Sequence, residues 1–310
     1  MTIMKIKHIF SLAALAVMTA ACSSEDLTQQ PASKIGQTLP FRATISAYAG
    51  TRGLIEAADG KSITAKWEVT EKIALVHSRL DDAKKPIVDV MEVKYVESNT
   101  GNACIEGTIN NYVEGETVYL VYTGHNEMSM NDYPGVMENA LANSQPEPTA
   151  ITQEMIIGSF SIPREGTLAD INDCSDYRLG ISTLTKMTGT EYVTFGSDAP
   201  TLSSQFAMWK LTLTTDGTTA LEASQLYITC GGKTYTIDPT GDTTLSTFYV
   251  LLPASTNATY KFKATDGTNT YIVTYSGVTL AAAKFYCSTL TLKPATGTND
   301  YNIVTTVQEW

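Results

Sequence analysis

Beyond Leu39, apolar residues recur mostly at every second position, the period of a strand with one buried face. Phe41, Ala43, Ile45 and Ala47 alternate with Arg42, Thr44, Ser46 and Tyr48, and Trp209, Leu211 and Leu213 with Lys210, Thr212 and Thr214. The stretch VYLVYTG reads the same way. Tyr260, Phe262 and Ala264 alternate with Lys261, Lys263 and Thr265; Asp266-Gly267 marks a turn, and the pattern resumes at Tyr271, Val273 and Tyr275, which predicts a hairpin. A second hairpin is predicted where QLYITC and KTYTID flank Gly231-Gly232. Helical periodicity is scarce. One short helical turn is expected near Glu154, and the Asn-, Pro-, Glu- and Met-rich stretch Asn126–Pro148 reads as a long surface excursion. Short, regularly spaced strands with Gly and Asp turns predict an all-β protein made of β-sandwiches.

The first residues break this pattern. Lys5 and Lys7 precede an apolar run from Ile9 to Ala21, too short for the ~20 apolar residues that span a bilayer. Small residues close the run, as in an export signal, and Cys22 follows them. This arrangement resembles the lipobox of bacterial lipoproteins, with Thr19 an unusual residue at its first position. It predicts a signal peptide over 1–21, cleavage before Cys22 and lipid on that cysteine; the alternative is an ordinary signal with an incidental cysteine. Acyl chains contribute about 0.8 kcal/mol per buried CH₂, so they would hold the chain on a membrane. An acidic, polar tether is expected over 22–37.

Net charge is −11, the pI is near 4.8 and only 17% of residues are charged. No basic patch is present, so the sequence lacks the footprint of a nucleic-acid partner. The length after the signal suits two domains. Asp198, Pro200 and Ser203-Ser204 mark a break, which sets the expected domains at 38–200 and 201–310.

Candidate chemistry is sparse. His77 follows an apolar strand and His125 falls in a loop; no HExxH, GxSxG or phosphate-binding loop occurs. The expectation is a protein that is not an enzyme, with no cofactor and no metal. Cys104, Cys174, Cys230 and Cys287 are compatible with one disulfide in each half of an exported protein, or with buried inert thiols, and no CxxC spacing is present. Trp67 and Trp209 sit in strand-like apolar contexts that point to core packing rather than sugar stacking.

Several stretches in order resemble the fimbrillin-like (Mfa-like) proteins of the type V pili of Gram-negative anaerobes. PFRATISAYAGTRGL and ITAKWEVTEKIALV are similar to the family's opening strand, its Thr-Arg, and its Trp before a strand that usually starts with Gly-Asp; here Thr70-Glu71 stands in that turn. VYLVYTG, MENALANSQ and EMIIGSF resemble its central stretches. SSQFAMWKLTL resembles a strand that usually carries Phe-Lys-His, with Met208 or Trp209 in place of the His. GVTLAAAKFYCSTLTL has Ala282-Ala283-Lys284-Phe285 where Ala-Gly-Lys-Tyr is usual, and IVTTVQEW resembles a terminal strand ending in Trp.

The resemblance implies two transthyretin-like Greek-key β-sandwich domains in tandem. It implies a structural or adhesive subunit of a cell-surface fimbria, exported as an outer-membrane lipoprotein. In that family an Arg-specific protease removes an N-terminal strand, and a neighbouring pilin subunit fills the vacated groove by β-strand addition. On this chain the implied cut follows Arg52, with Arg42 as the second candidate, and the plug strand carries Phe41, Ala43, Ile45 and Ala47. The donor candidate, 301–310, places Ile303, Thr305 and Val307 on one face and Val304, Thr306 and Trp310 on the other. The alternatives remain that Arg52 is a polar turn residue and that the last strand closes its own sheet. The competing function is a non-polymerising surface lipoprotein that binds a host glycan or protein.

Overall fold

A computed structural model of the chain describes residues 37–46, 55–61, 63–64, 67–124, 127–144, 148–160, 165–174, 176–196, 199–241, 243–295 and 305–309. Of the two compact units into which the chain divides, Met1–Ala32 and Ser33–Trp310, all of these belong to the second. They are mostly strands, so the all-β expectation holds.

The N-terminal half is one sheet built from β1 (Leu39–Ile45), β4 (Lys72–Leu80), β5 (Pro86–Val96), β6 (Ala103–Ile109), β7 (Thr117–Tyr122), β8 (Arg178–Lys186), β9 (Val193–Phe195) and β10 (Ser203–Ser204). Its order is β10-β8-β7-β4-β5-β6-β1-β9, and β9 also pairs with β8. The sheet therefore closes on itself as a barrel. Inside it pack Phe41, Ile45, Trp67, Ile73, Leu75, Met91, Ile105, Leu120 and Phe195. Trp67 and Trp209 are both core residues, as their contexts predicted.

One wall of the barrel is apolar on its outer side too. Ala74, Val76, Val121 and Leu179 pack there beneath α1 (Glu127–Ala142) and α2 (Gln153–Ser159). The expected turn near Glu154 is α2, N-capped by Thr152, whose side chain accepts from Met155 N–H. The stretch read as a surface excursion instead contains the 16-residue α1. Tyr133 and Met137, four residues apart, bury one side of it against the sheet. That contact offsets the Asn, Gly and Pro content that argued against a helix.

The C-terminal half is a sandwich. One sheet has the order β14-β11-β17-β19, formed by β11 (Ala207–Thr214), β14 (Thr247–Leu252), β17 (Lys284–Thr291) and β19 (Thr305–Glu309). The other runs β13-β12-β15-β16-β18, formed by β12 (Gln225–Cys230), β13 (Lys233–Ile237), β15 (Ser255–Thr265), β16 (Thr270–Leu280) and β18 (Lys293–Pro294). Both predicted hairpins are present; Gly231 and Gly232, at φ 57° and 77°, make the tight β12–β13 turn. Trp209, Phe248, Phe262 and Tyr260 fill the space between the sheets.

A further cluster joins the halves. Ile63 of the small hairpin β2 (Ile55–Glu56) and β3 (Ile63–Thr64), and Ile171 of α3 (Leu168–Cys174), pack with Tyr177, Phe206, Met208, Leu251 and Phe285. Glu56 bonds both Lys210 and the Tyr249 hydroxyl, fastening β2 to the outer face of the C-terminal sheet.

Candidate functional site

The strand β1 is held unequally on its two edges. Toward β6 it is zipped in antiparallel register from Leu39↔Ile109 to Ile45↔Ala103; toward β9 it meets its neighbour in parallel at a single pair, Phe41↔Val193. Leu39, Phe41, Ala43 and Ile45 are buried, while Arg42 and Thr44 face outward. Phe41 lies opposite Gly107, and a Cβ on Gly107 would come within 2.6 Å of Met91 Sδ. The Phe41 ring meets that of Phe195 edge-on at 5.2 Å. Past the strand, Ser46 N–H donates to Pro200 O at 3.1 Å and its hydroxyl donates to Ala199 O at 2.9 Å.

Arg42 pairs with Glu106 at 2.6 Å on the exposed face, but its peptide bonds lie in the middle of the ladder. Cys22, Ala47, Arg52, Ile303, Val304 and Trp310 lie outside the described residues. Of the terminal candidate, Thr305–Glu309 pairs antiparallel with β17, from Ser288↔Thr305 to Lys284↔Glu309; this span contains Thr305 and Val307. Cys104, Cys230 and Cys287 are free thiols, so the disulfide alternative is not realised among them; β12 and β17, which carry Cys230 and Cys287, belong to different sheets. The side chain of Cys174 is outside the described set.

Both turns in which the sequence departs from the family's glycine have left-handed backbone. Thr70 has φ 80° and Ala283 φ 58°. After Thr70, Glu71 is buried and accepts from the Tyr122 hydroxyl at 2.6 Å and from Glu68 N–H at 2.7 Å. Nearby, Asp176 and Arg178 are fully buried partners at 3.0 Å. Burial pushes the Asp176 carboxyl up, against the pull of the Arg178 guanidinium.

The largest departure from sequence reasoning is His77. It does not follow β4 but lies within it, on the inward parity of Ile73 and Leu75, and is fully buried. Its Nδ1 is 2.9 Å from Glu116 Oε2 and its Nε2 is 3.1 Å from Asp89 Oδ2. Burial is the largest influence and would lower its pKa, but the hydrogen bonds to Asp89 and Glu116 and the charges of those carboxylates together outweigh it and hold the imidazole above its ordinary value. Both ring nitrogens then donate. The signal was in the sequence: alternation carried one residue further puts His77 inside.

A surface groove of about 800 Å³ lies between α2 and β13, lined by Phe160, Phe206, Tyr235 and Pro253 among others. Among the described residues no helix is long and apolar enough to cross a membrane, and no group of side chains is arranged to hold a metal ion.

No family model matches the chain, and no curated protein matches it. Among solved structures it is similar to a candidate cell adhesion protein from Bacteroides ovatus ATCC 8483, at 11% identity and a TM-score of 0.39, over 89% of this chain and 99% of that one. It is also similar to a fimbrial assembly protein from Parabacteroides distasonis ATCC 8503, at 11% identity and a TM-score of 0.37, over 89% and 96%. A candidate cell adhesion protein from Bacteroides fragilis NCTC 9343 gives 13% identity and a TM-score of 0.37, over 88% and 97%.

Proposed function

We propose that this chain is a structural or adhesive subunit of a cell-surface fimbria, exported as an outer-membrane lipoprotein through Cys22 and assembled with other pilin subunits by protease-triggered strand exchange. The observation that carries the reading is the asymmetry of β1, a terminal strand zipped on one edge and joined to β9 at a single pair on the other. Its removal would open the barrel between β6 and β9, baring the ladder edge of β6 and the slot now filled by Leu39, Phe41, Ala43 and Ile45. An unpaired edge beside an apolar slot is a template for another strand. Burying each of Leu39, Phe41 and Ile45 contributes roughly 1.5–3 kcal/mol before ordering costs, which a replacement strand would have to recover. In this reading both halves are transthyretin-like sandwiches, the first with its two layers joined through β9. Its work is binding and assembly rather than catalysis.

The test is cleavage. Uncut protein should elute as a monomer. After an Arg-specific protease acts at Arg52 it should form ladders that resist mild denaturation, and deletion of 301–310 should abolish them without loss of fold. Cut protein that stays monomeric beside a compatible subunit would end the assembly reading.

The aromatic groove between α2 and β13 favours a second reading, a non-polymerising lipoprotein that binds a host glycan or protein. Saturable binding of glycan or protein by uncut monomer, lost on Phe160→Ala, would support it.

A further inference from the structure

β6 ends where β1 begins, and buried charges end it. Asn110 is the first residue beyond β6. Its backbone N–H donates to Asp89 Oδ2 at 3.0 Å, and its side-chain amide donates to Asp89 Oδ1 at 2.6 Å. Asp89 is held from behind by His77 Nε2, and His77 Nδ1 holds Glu116. Arg79 Nε lies 3.1 Å from Glu116 Oε1, and the same guanidinium donates to the Asn111 carbonyl, where the backbone turns at φ 54°. The amide of Asn110 and the carbonyl of Asn111 are thus engaged in the network and are not offered to a strand running past Ile109. On the outer side, the Thr38 hydroxyl donates to Asn110 Oδ1 at 2.9 Å.

Side-chain alternation has a period of two, so a slide of β1 by two residues would leave the same set of side chains facing inward. Hydrophobic pattern alone does not choose between these registers. A slide toward Asn110 would demand pairing beyond Ile109, where the chain has turned away. It would also take Phe41 from its place opposite Gly107 and part its ring from that of Phe195, which it meets edge-on at 5.2 Å.

We propose that the His77–Asp89–Asn110 network is a register stop: it ends β6 at a fixed residue and so determines which position of the closing strand meets Phe195. This rests on reading the β1 slot as the place where a partner strand is taken up, and it specifies that partner. The slot selects an extended segment with a hydroxyl-bearing side chain opposite Asn110 and an aromatic one at the position that Phe41 holds. His77 is faced by Asp89 from β5 and by Glu116 from the turn before β7, with Arg79 beyond Glu116. Loss of its proton would leave one carboxylate without its donor and loosen the stop.

The chain carries its own ruler. Cys104 is a free thiol opposite Thr44 in the ladder. In the full, uncut chain, Thr44→Cys should cross-link to Cys104 under mild oxidation. Ser46→Cys reaches Cys104 only after a two-residue slide past the stop, and should give at least roughly tenfold less product, because thiols out of register do not meet disulfide geometry. His77→Gln should raise the Ser46→Cys yield relative to the Thr44→Cys yield about threefold or more at unchanged circular dichroism; Asn110→Ala, a less buried change, should do the same. With the network intact that ratio should climb as pH rises through the folded-state pKa of His77, and this climb should vanish in His77→Gln. A ratio unmoved in both folded variants and flat with pH overturns the register stop. No cleavage or partner enters the assay, so failure of cut protein to polymerise would count against the assembly reading alone.

Discussion

Among the described residues, the barrel buries Glu71, His77, Asp89, Glu116, Asp176 and Arg178, whereas the buried polar side chains of the C-terminal sandwich are the hydroxyls of Thr214 and Ser288. The two halves are alike in strand content and both have apolar centres, so the difference does not come from the need for a core. Buried ionic groups contribute little net stability against apolar residues of similar size, because desolvation offsets their attraction. Their positions suggest another use. One set ends β6; the other bonds Tyr122 at the end of β7 and anchors Arg178 at the start of β8. A sheet closed by one weakly joined strand needs its register defined at the ends. The sandwich, whose two sheets face each other across Trp209 and whose β15 and β16 pair along a long hairpin, does not.

The comparison breaks most visibly if one partner of a buried pair is removed. Asp176→Ala or His77→Leu should each cost about 3–5 kcal/mol in urea unfolding, since a charge is left buried without its partner. The double change Asp176→Leu with Arg178→Met should cost far less, and an equal loss would show that the pair supplies stability rather than position.

Stability should also respond to pH through the barrel. The folded-state pKa of His77 is raised, so its contribution is fully present below the unfolded-state value of about 6.5 and is lost as pH rises through the folded-state value. Melting temperature should therefore fall on the alkaline side, and His77→Gln should flatten that limb. A fall of the same size in the variant would assign it elsewhere.

In the sandwich, Ser288→Ala removes the acceptor of Trp209 Nε1–H, 2.9 Å away, and should cost roughly 1–3 kcal/mol with no dependence on pH. Smallest are two gains, one in each half. Thr70→Gly and Ala283→Gly should each stabilise by about 0.5–1 kcal/mol, because the left-handed backbone strains a residue with a Cβ by more than glycine loses in entropy. A destabilised Thr70→Gly would mean that the side chain makes a compensating contact.

Much of this was legible in the residues. Alternation located β1, β7, β11 and both hairpins of the second half, because a half-buried strand imposes its period locally. The apolar face of β1 was correctly read from Phe41, Ala43 and Ile45. The helix α1 was not, because Asn131, Asp132, Pro134 and Gly135 interrupt its helix-forming residues, and Tyr133 and Met137 pack it against the apolar outer wall of Ala74 and Val76. The resemblance's glycine turns were legible as departures at Thr70 and Ala283, but nothing in the sequence showed that the backbone kept its left-handed form.

The sequence by itself determined the strands that alternate, such as β1 and β11, and their inward faces, since each depends on neighbours along the chain. Only the tertiary structure decided that the first sheet closes on itself, that β1 is gripped on one edge more than the other, and that His77, Asp89, Glu116 and Asn110 meet. Those features join residues tens of positions apart, and which distant carboxylate faces a given imidazole depends on sheet order and register, which local pattern leaves open by steps of two.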